Sequence, residues 1–255
     1  MAITIVCAFA LAVVAAIRGT WSPCGLSMLS TITPVTERAR GHRYPAAAAW
    51  FIAGAAVGGA CLGAVAAAIA AAFHAVGPSR SLSLALVGAA ALVGVASDLA
   101  VFGISLPLHP RQVDETWLRK FRTWVYAGGF GWQIGTGFAT YIMTAATYAL
   151  VVVAALTASP VVAFAACVTF GTLRGAAVLL SARARTPERL AALHRRLDRA
   201  EPASRALAVA GQAAVAAGAV AALAGPGWST AVIAACLAAT LRKVRSGLFL
   251  TRPNA

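Results

Sequence analysis

Long apolar runs recur along the whole chain, more of them than a soluble domain of this size could hide from water. Seven can be drawn, over residues 2–33, 46–76, 82–104, 124–155, 160–181, 206–223 and 228–241. About 20 apolar residues in a helix match the ~30 Å hydrocarbon layer of a bilayer, and a helix satisfies its own backbone groups there. Only 11% of the 255 residues are charged, whereas soluble domains carry about 25%. The expected fold is therefore an all-α polytopic integral membrane protein with about seven spans, or six if the short last run does not cross.

The linkers sort themselves by charge. The first holds Arg38, Arg40 and Arg43 against Glu37. The third holds Arg111, Arg119, Lys120 and Arg122 against Asp114 and Glu115. The fifth holds Arg183, Arg185, Arg189, Arg195, Arg196, Arg199 and Arg205, and the tail Arg242, Lys243, Arg245 and Arg252. The linkers between them, Gly77-Pro78-Ser79-Arg80, Ala158-Ser159-Pro160 and Gly225-Pro226-Gly227-Trp228, are short and nearly uncharged. Basic linkers face the cytoplasm. The expectation is an inner-membrane protein with its N-terminus outside and its C-terminus cytoplasmic. The net charge of +14 then meets anionic lipid, and no nucleic-acid partner is expected. No Lys or Arg precedes the first run, so it lacks the basic start of a signal peptide and is expected to stay in the mature protein.

The first and fourth segments are longer than a span needs, and each contains a Gly-Thr step followed by an aromatic: Gly19-Thr20-Trp21 and Gly135-Thr136-Gly137-Phe138. In the first, Pro23 removes a backbone donor and Gly25 favours a break. Two interrupted segments of opposite sense point to an inverted 3+3 repeat, with the breaks meeting near the midplane. One transmembrane domain, 1–255, is expected, with 1–104 as the first three-helix repeat. The second repeat begins within 105–205, which also holds the basic linker; 206–255 adds the last one or two helices and the tail. Gly54, Gly58, Gly59 and Gly63, with Gly131/Gly135 and Gly171/Gly175, have the spacing of close helix packing. Thr186-Pro187-Glu188 onward to Arg205 reads as a basic surface helix.

The stretch Trp21-Ser22-Pro23-Cys24-Gly25-Leu26 resembles the first-helix motif of the DsbD/CcdA-type transmembrane thiol–disulfide relays, the cytochrome c biogenesis membrane region. The resemblance implies a Pro-Cys in the first helix and another in the fourth, within an inverted repeat. The pair passes reducing equivalents from a thioredoxin-like protein to acceptors across the membrane. It casts Cys24 as the nucleophile and Pro23 as its helix breaker. In the fourth segment, however, Ala139-Thr140-Tyr141 stands where the pattern places a small residue, Pro and Cys, so Tyr141 replaces the second cysteine. Thiol–disulfide exchange needs a resolving thiol, for which Cys61 and Cys167 are the alternatives.

Arg18, Asp98 and Arg174 lie within spans, where a charge is expensive unless paired or wetted. An Arg18–Asp98 or Arg174–Asp98 pair is expected, the alternative being that Asp98 and Arg174 snorkel to the cytoplasmic face. Gly19, Thr20, Trp21, Ser22, Pro23, Gly25, Gly135, Thr136, Gly137, Thr140 and Tyr141 are expected to line a polar centre at the breaks. No dinucleotide, P-loop or serine-elbow motif is present, and no histidine has a partner at ligand spacing, so neither a cofactor nor a metal is expected. Three functions fit: a thiol–disulfide relay, a carrier of a small anion or zwitterion using Arg18, Asp98 and Arg174, or a non-catalytic subunit that positions other membrane proteins.

Overall fold

Helix is the only regular structure that leaves no backbone group unpaired in lipid, and the apolar runs form helices. The computed structural model describes residues 2–101, 116–224, 228, 231–236 and 238–239. Its elements are α1 (Ala2–Gly19), α2 (Pro23–Thr31), α3 (Pro34–Ala39), α4 (Tyr44–Val76), α5 (Arg80–Asp98), α6 (Trp117–Lys120), α7 (Thr123–Thr136), α8 (Ala146–Leu156), α9 (Pro160–Ala176) and α10 (Pro187–Ala224). A 3₁₀ turn, Ala177–Arg183, extends α9. Among the described residues there is no strand. Among the described residues five helices are long and apolar enough to cross a membrane: α1, α4, α5, α9 with its extension, and α10. The protein is a polytopic all-helical membrane protein. The end of the third run, Arg111, Asp114, Glu115, the Arg119 side chain, the end of the seventh run and the four basic tail residues lie outside the described residues.

Both long segments are interrupted. The first divides into α1 and α2, and the fourth into α7 and α8 with residues 137–144 non-helical between them. The basic linker departs from expectation, because it is no separate surface helix. It continues through Pro202 into the sixth run as one 38-residue helix, α10, about 57 Å long at 1.5 Å per residue. A proline inside a helix costs a hydrogen bond, yet it bends rather than ends the helix where neighbours restrain the flanking turns. Here Leu197, Glu201 and Ser204, on both sides of Pro202, are each bonded to the first segment.

α4 is the axis of the bundle and packs most extensively against α7 and α9. Between membrane helices no hydrophobic force remains to be gained, so association rests on close packing through small residues. A Cβ at Gly54 would collide with the Gly128 carbonyl, one at Gly58 with the Trp132 carbonyl, and one at Gly131 with the Phe51 carbonyl. At Gly171 it would lie 2.5 Å from the Ala55 carbonyl oxygen. α1 lies against α8, α9 and α10, and α5 against α10.

Backbone carbonyls cannot yield as side chains do. Gly131→Ala is therefore expected to lower unfolding stability by about 2 kcal/mol or more, the upper range of overpacking costs. Gly218, where a Cβ meets nothing within 4 Å, is the control: Gly218→Ala should be neutral or stabilise by up to about 1 kcal/mol. Denaturant titrations in the same detergent compare the two.

Candidate functional site

α1 closes with three i→i−3 bonds, Thr20 N–H to Ile17 O, Trp21 N–H to Arg18 O and Ser22 N–H to Gly19 O. The chain then restarts as α2. Ser22 is its N-cap, accepting from the Gly25 N–H at 3.1 Å, and Pro23 takes the first helical position, where its missing N–H is harmless. An alanine Cβ at position 25 would lie 2.5 Å from the Thr20 carbonyl oxygen, so Gly25 allows the two helix ends to meet. Each side of the break is tied to α10. The Trp21 indole donates to the Leu197 carbonyl at 2.8 Å, Arg18 donates to Glu201 at 2.7 Å and to Ser204 at 2.8 Å, and Ser30 shares a bond with His194 at 3.0 Å.

Cys24 follows Pro23 and is 2% exposed, packed in a cluster with Met28, Phe51, Tyr126 and Ile134. Arg174 reaches the break from α9. Its guanidinium is buried, donates to the Ser22 hydroxyl at 3.4 Å, lies 5.7 Å from the Phe170 ring centroid, and interacts electrostatically with Cys24. It seats in the space left by the missing Cβ of Gly19, where an alanine Cβ would lie 2.8 Å from Nε. That Nε has no hydrogen-bond acceptor. Among the described residues no carboxylate pairs with Arg174. A narrow cavity remains, lined by Gly19, Thr20, Gly25, Phe51, Ile134 and Arg174 among others.

At the second break α7 ends at Thr136, and Gly137 takes a φ of 73°, the region that favours glycine. Gly135 packs on the Ala55 backbone and Thr136 donates to its own helix at Gln133, so both belong to α7 and its packing. Thr140 is fully buried with an unpartnered hydroxyl. Tyr141 packs against the cluster that contains Cys24. The start of α8 is closed by Asp98 at the end of α5. Its carboxylate accepts from the Ala145 N–H at 2.8 Å, the Thr144 hydroxyl at 2.5 Å and the Gln212 amide at 2.8 Å. A carboxylate at a helix start satisfies free N–H groups and suits the helix dipole.

Asp98 thus pairs with neither arginine, contrary to expectation. Each charge has a different neighbour: Arg18 has Glu201, Asp98 has the start of α8, and Arg174 has the break beside Cys24. Snorkelling is also overturned for Arg174, which is 4% exposed. Arg18, Asp98 and Arg174 each lie in the last turn of their helices, α1, α5 and α9. Nor do the hydroxyls line an open centre. Thr20, Ser30 and Thr31 donate to carbonyls of their own helices.

The remaining cysteines are placed apart from Cys24. Cys7 and Cys167 belong to one separate packing cluster and Cys236 to another, while Cys61 is exposed beside the Trp132 indole. No disulfide joins any of the five. Sequence reasoning missed Glu201 altogether and read Glu37 as a linker acid among arginines. Glu37 is fully buried, accepting from the Tyr126 hydroxyl at 2.6 Å and from Arg40 at 3.0 Å, with His42 3.7 Å away. Trp117 stacks on Phe130, at 6.0 Å between ring centroids.

Asp98→Ala strips three donors of their acceptor and should cost about 3 kcal/mol, as expected for loss of a buried charged partner. Asp98→Asn keeps one oxygen for the Ala145 N–H and should cost less. Thermal unfolding of the two variants side by side checks the order.

The chain is similar to proteins named methylamine utilization protein MauF. It is 31% identical over 156 residues to that of Paracoccus denitrificans, covering 58% of this chain and 53% of that protein. For Paracoccus versutus the values are 29% over 139 residues, 54% and 50%, and for Methylorubrum extorquens 29% over 151 residues, 58% and 53%. No protein-family model matches the chain, and no solved structure does. The chain spans about half the length of the curated relatives it matches.

Proposed function

We propose that this chain is a membrane-embedded accessory protein of methylamine utilization that performs thiol–disulfide exchange through Cys24, on a DsbD/CcdA-like inverted-repeat core. The observation that carries the reading is the buried Arg174 guanidinium donating to Ser22, the N-cap of the half-helix whose first turn holds Cys24. Exchange places negative charge on sulfur as bonds form and break, and both the arginine and the helix N-terminus supply positive potential there. The MauF relatives supply the pathway by their printed name. The basic linkers support a reading in which this end of the bundle faces the cytoplasm at an inner membrane, with the N-terminus outside.

With Tyr141 in place of a second motif cysteine, and the other thiols in other clusters, the exchange is intermolecular. The Cys24 sulfur attacks a disulfide of a partner protein; a mixed disulfide forms and the partner's other sulfur leaves as a thiolate. A dithiol protein of thioredoxin type then attacks the mixed disulfide at Cys24, which frees the partner fully reduced. Its second thiol next displaces Cys24. Two electrons pass from the dithiol protein to the partner, and Cys24 ends as it began. Pro23 and Gly25 hold the helix start in place, Gly19 leaves room for Arg174, and Tyr141 with Phe51 keeps water from the sulfur.

A thioredoxin-type protein whose resolving cysteine is replaced should become trapped on Cys24 as a mixed disulfide. Cys24→Ser should abolish the adduct, and Arg174→Met should slow its formation about tenfold or more, one charge interaction of roughly 1.4 kcal/mol. An adduct that forms equally on Cys24→Ser sinks the reading. A second reading, a non-catalytic subunit, is favoured by the exposed arginines 189, 195, 196 and 199 on α10; it predicts a stably co-purifying membrane partner even with Cys24→Ser.

A further inference from the structure

We infer that the notch between the end of α1 and the start of α2 binds one small monovalent anion, either a halide-sized ion or a single carboxylate group of a larger solute. Three observations converge on it. First, Arg174 is 4% exposed, carries a full charge, and has neither a paired carboxylate nor an acceptor for Nε. An isolated buried charge is expensive unless something of opposite sign neutralises it. Second, α2 begins at the same place, and a helix start favours negative charge through its dipole. Third, a cavity lies against both, with Gly19, Gly25 and Arg174 among its lining residues.

The shape and lining decide the ligand class. Phe51, Met28 and Leu29 form the rest of the wall, so a cation finds no ligand and a doubly charged ion finds only one compensating side chain. The notch is narrow, which favours a compact charge with little around it. Cys24 follows two residues after Ser22, whose hydroxyl accepts from the same guanidinium, so a bound anion and negative charge on the Cys24 sulfur draw on one positive centre. Occupancy therefore opposes thiol exchange. The site itself does not need Cys24 to react.

The Cys24→Ala chain in nanodiscs of zwitterionic lipid separates this inference from the thiol reading. Titrated against sodium sulfate at constant ionic strength, sodium bromide or sodium acetate should raise the melting temperature by several degrees and saturate; sodium sulfate alone should give no saturable shift. Saturation with both assigns a site for any small single charge. Saturation with acetate alone assigns a carboxylate-bearing solute, and with bromide alone a halide. Arg174→Gln in the same background should remove the saturable shift. Because that variant can fail to fold, chlorine-35 line broadening on the Cys24→Ala chain provides a second readout, which acetate should reverse. A shift without saturation, equal effects of sulfate, or no saturation with either salt together with no line broadening overturns the inference. If the anion binds and Cys24 traps no partner, only the thiol reading falls.

Discussion

A helix interrupted inside a bilayer exposes N–H and C=O groups that lipid cannot satisfy. Both interruptions here are closed by side chains aimed at helix starts. Ser22 caps α2 from within the break, whereas Asp98 closes α8 from another helix, with Thr144 and Gln212 completing its bonds. The difference has a physical origin. The first break spans three residues and stays within reach of its own serine; the second runs over residues 137–144 and needs an acceptor brought from outside. Asp98 makes the second half of the bundle depend on the first.

The dependence runs the other way through Arg174. It reaches Ser22 only because α9 lies tightly on α4, and that packing rests on glycines facing carbonyls. Close packing and a buried charge are therefore parts of one arrangement: the small residues determine where the guanidinium lies, and Gly19 leaves the space it occupies. α10 adds a third tie. Its inner stripe of His194, Leu197, Glu201 and Ser204 grips the residues around the break. A helix that reads as two unrelated pieces is thereby held as one through Pro202. Its outer face carries exposed arginines well beyond the apolar run.

Much of the fold is legible in the chain alone, because apolar length and the breaking residues act locally. Run lengths determine spanning helices, Pro23 and Gly137 mark where two of them fail, and the Gly-xxx-Gly spacings mark the faces that touch. The pairing of charges is a different matter. Arg18, Asp98 and Arg174 stand out as costly in any membrane helix, yet nothing local says which neighbour relieves each. Glu201 looks like one more linker residue until α10 is seen to run unbroken beside α1. Glu37 looks solvated until Tyr126 closes over it.

The sequence by itself determined the class of fold, the broken first segment and the presence of a thiol at the start of a half-helix. Those follow from hydropathy and from backbone chemistry within a few residues. Tertiary structure alone decided that the thiol has an arginine near it and no second cysteine in its cluster, and that Asp98 serves α8. Contacts between residues more than a hundred positions apart are set by how helices pack. That packing depends on the sum of many small fits, which no short stretch of sequence displays.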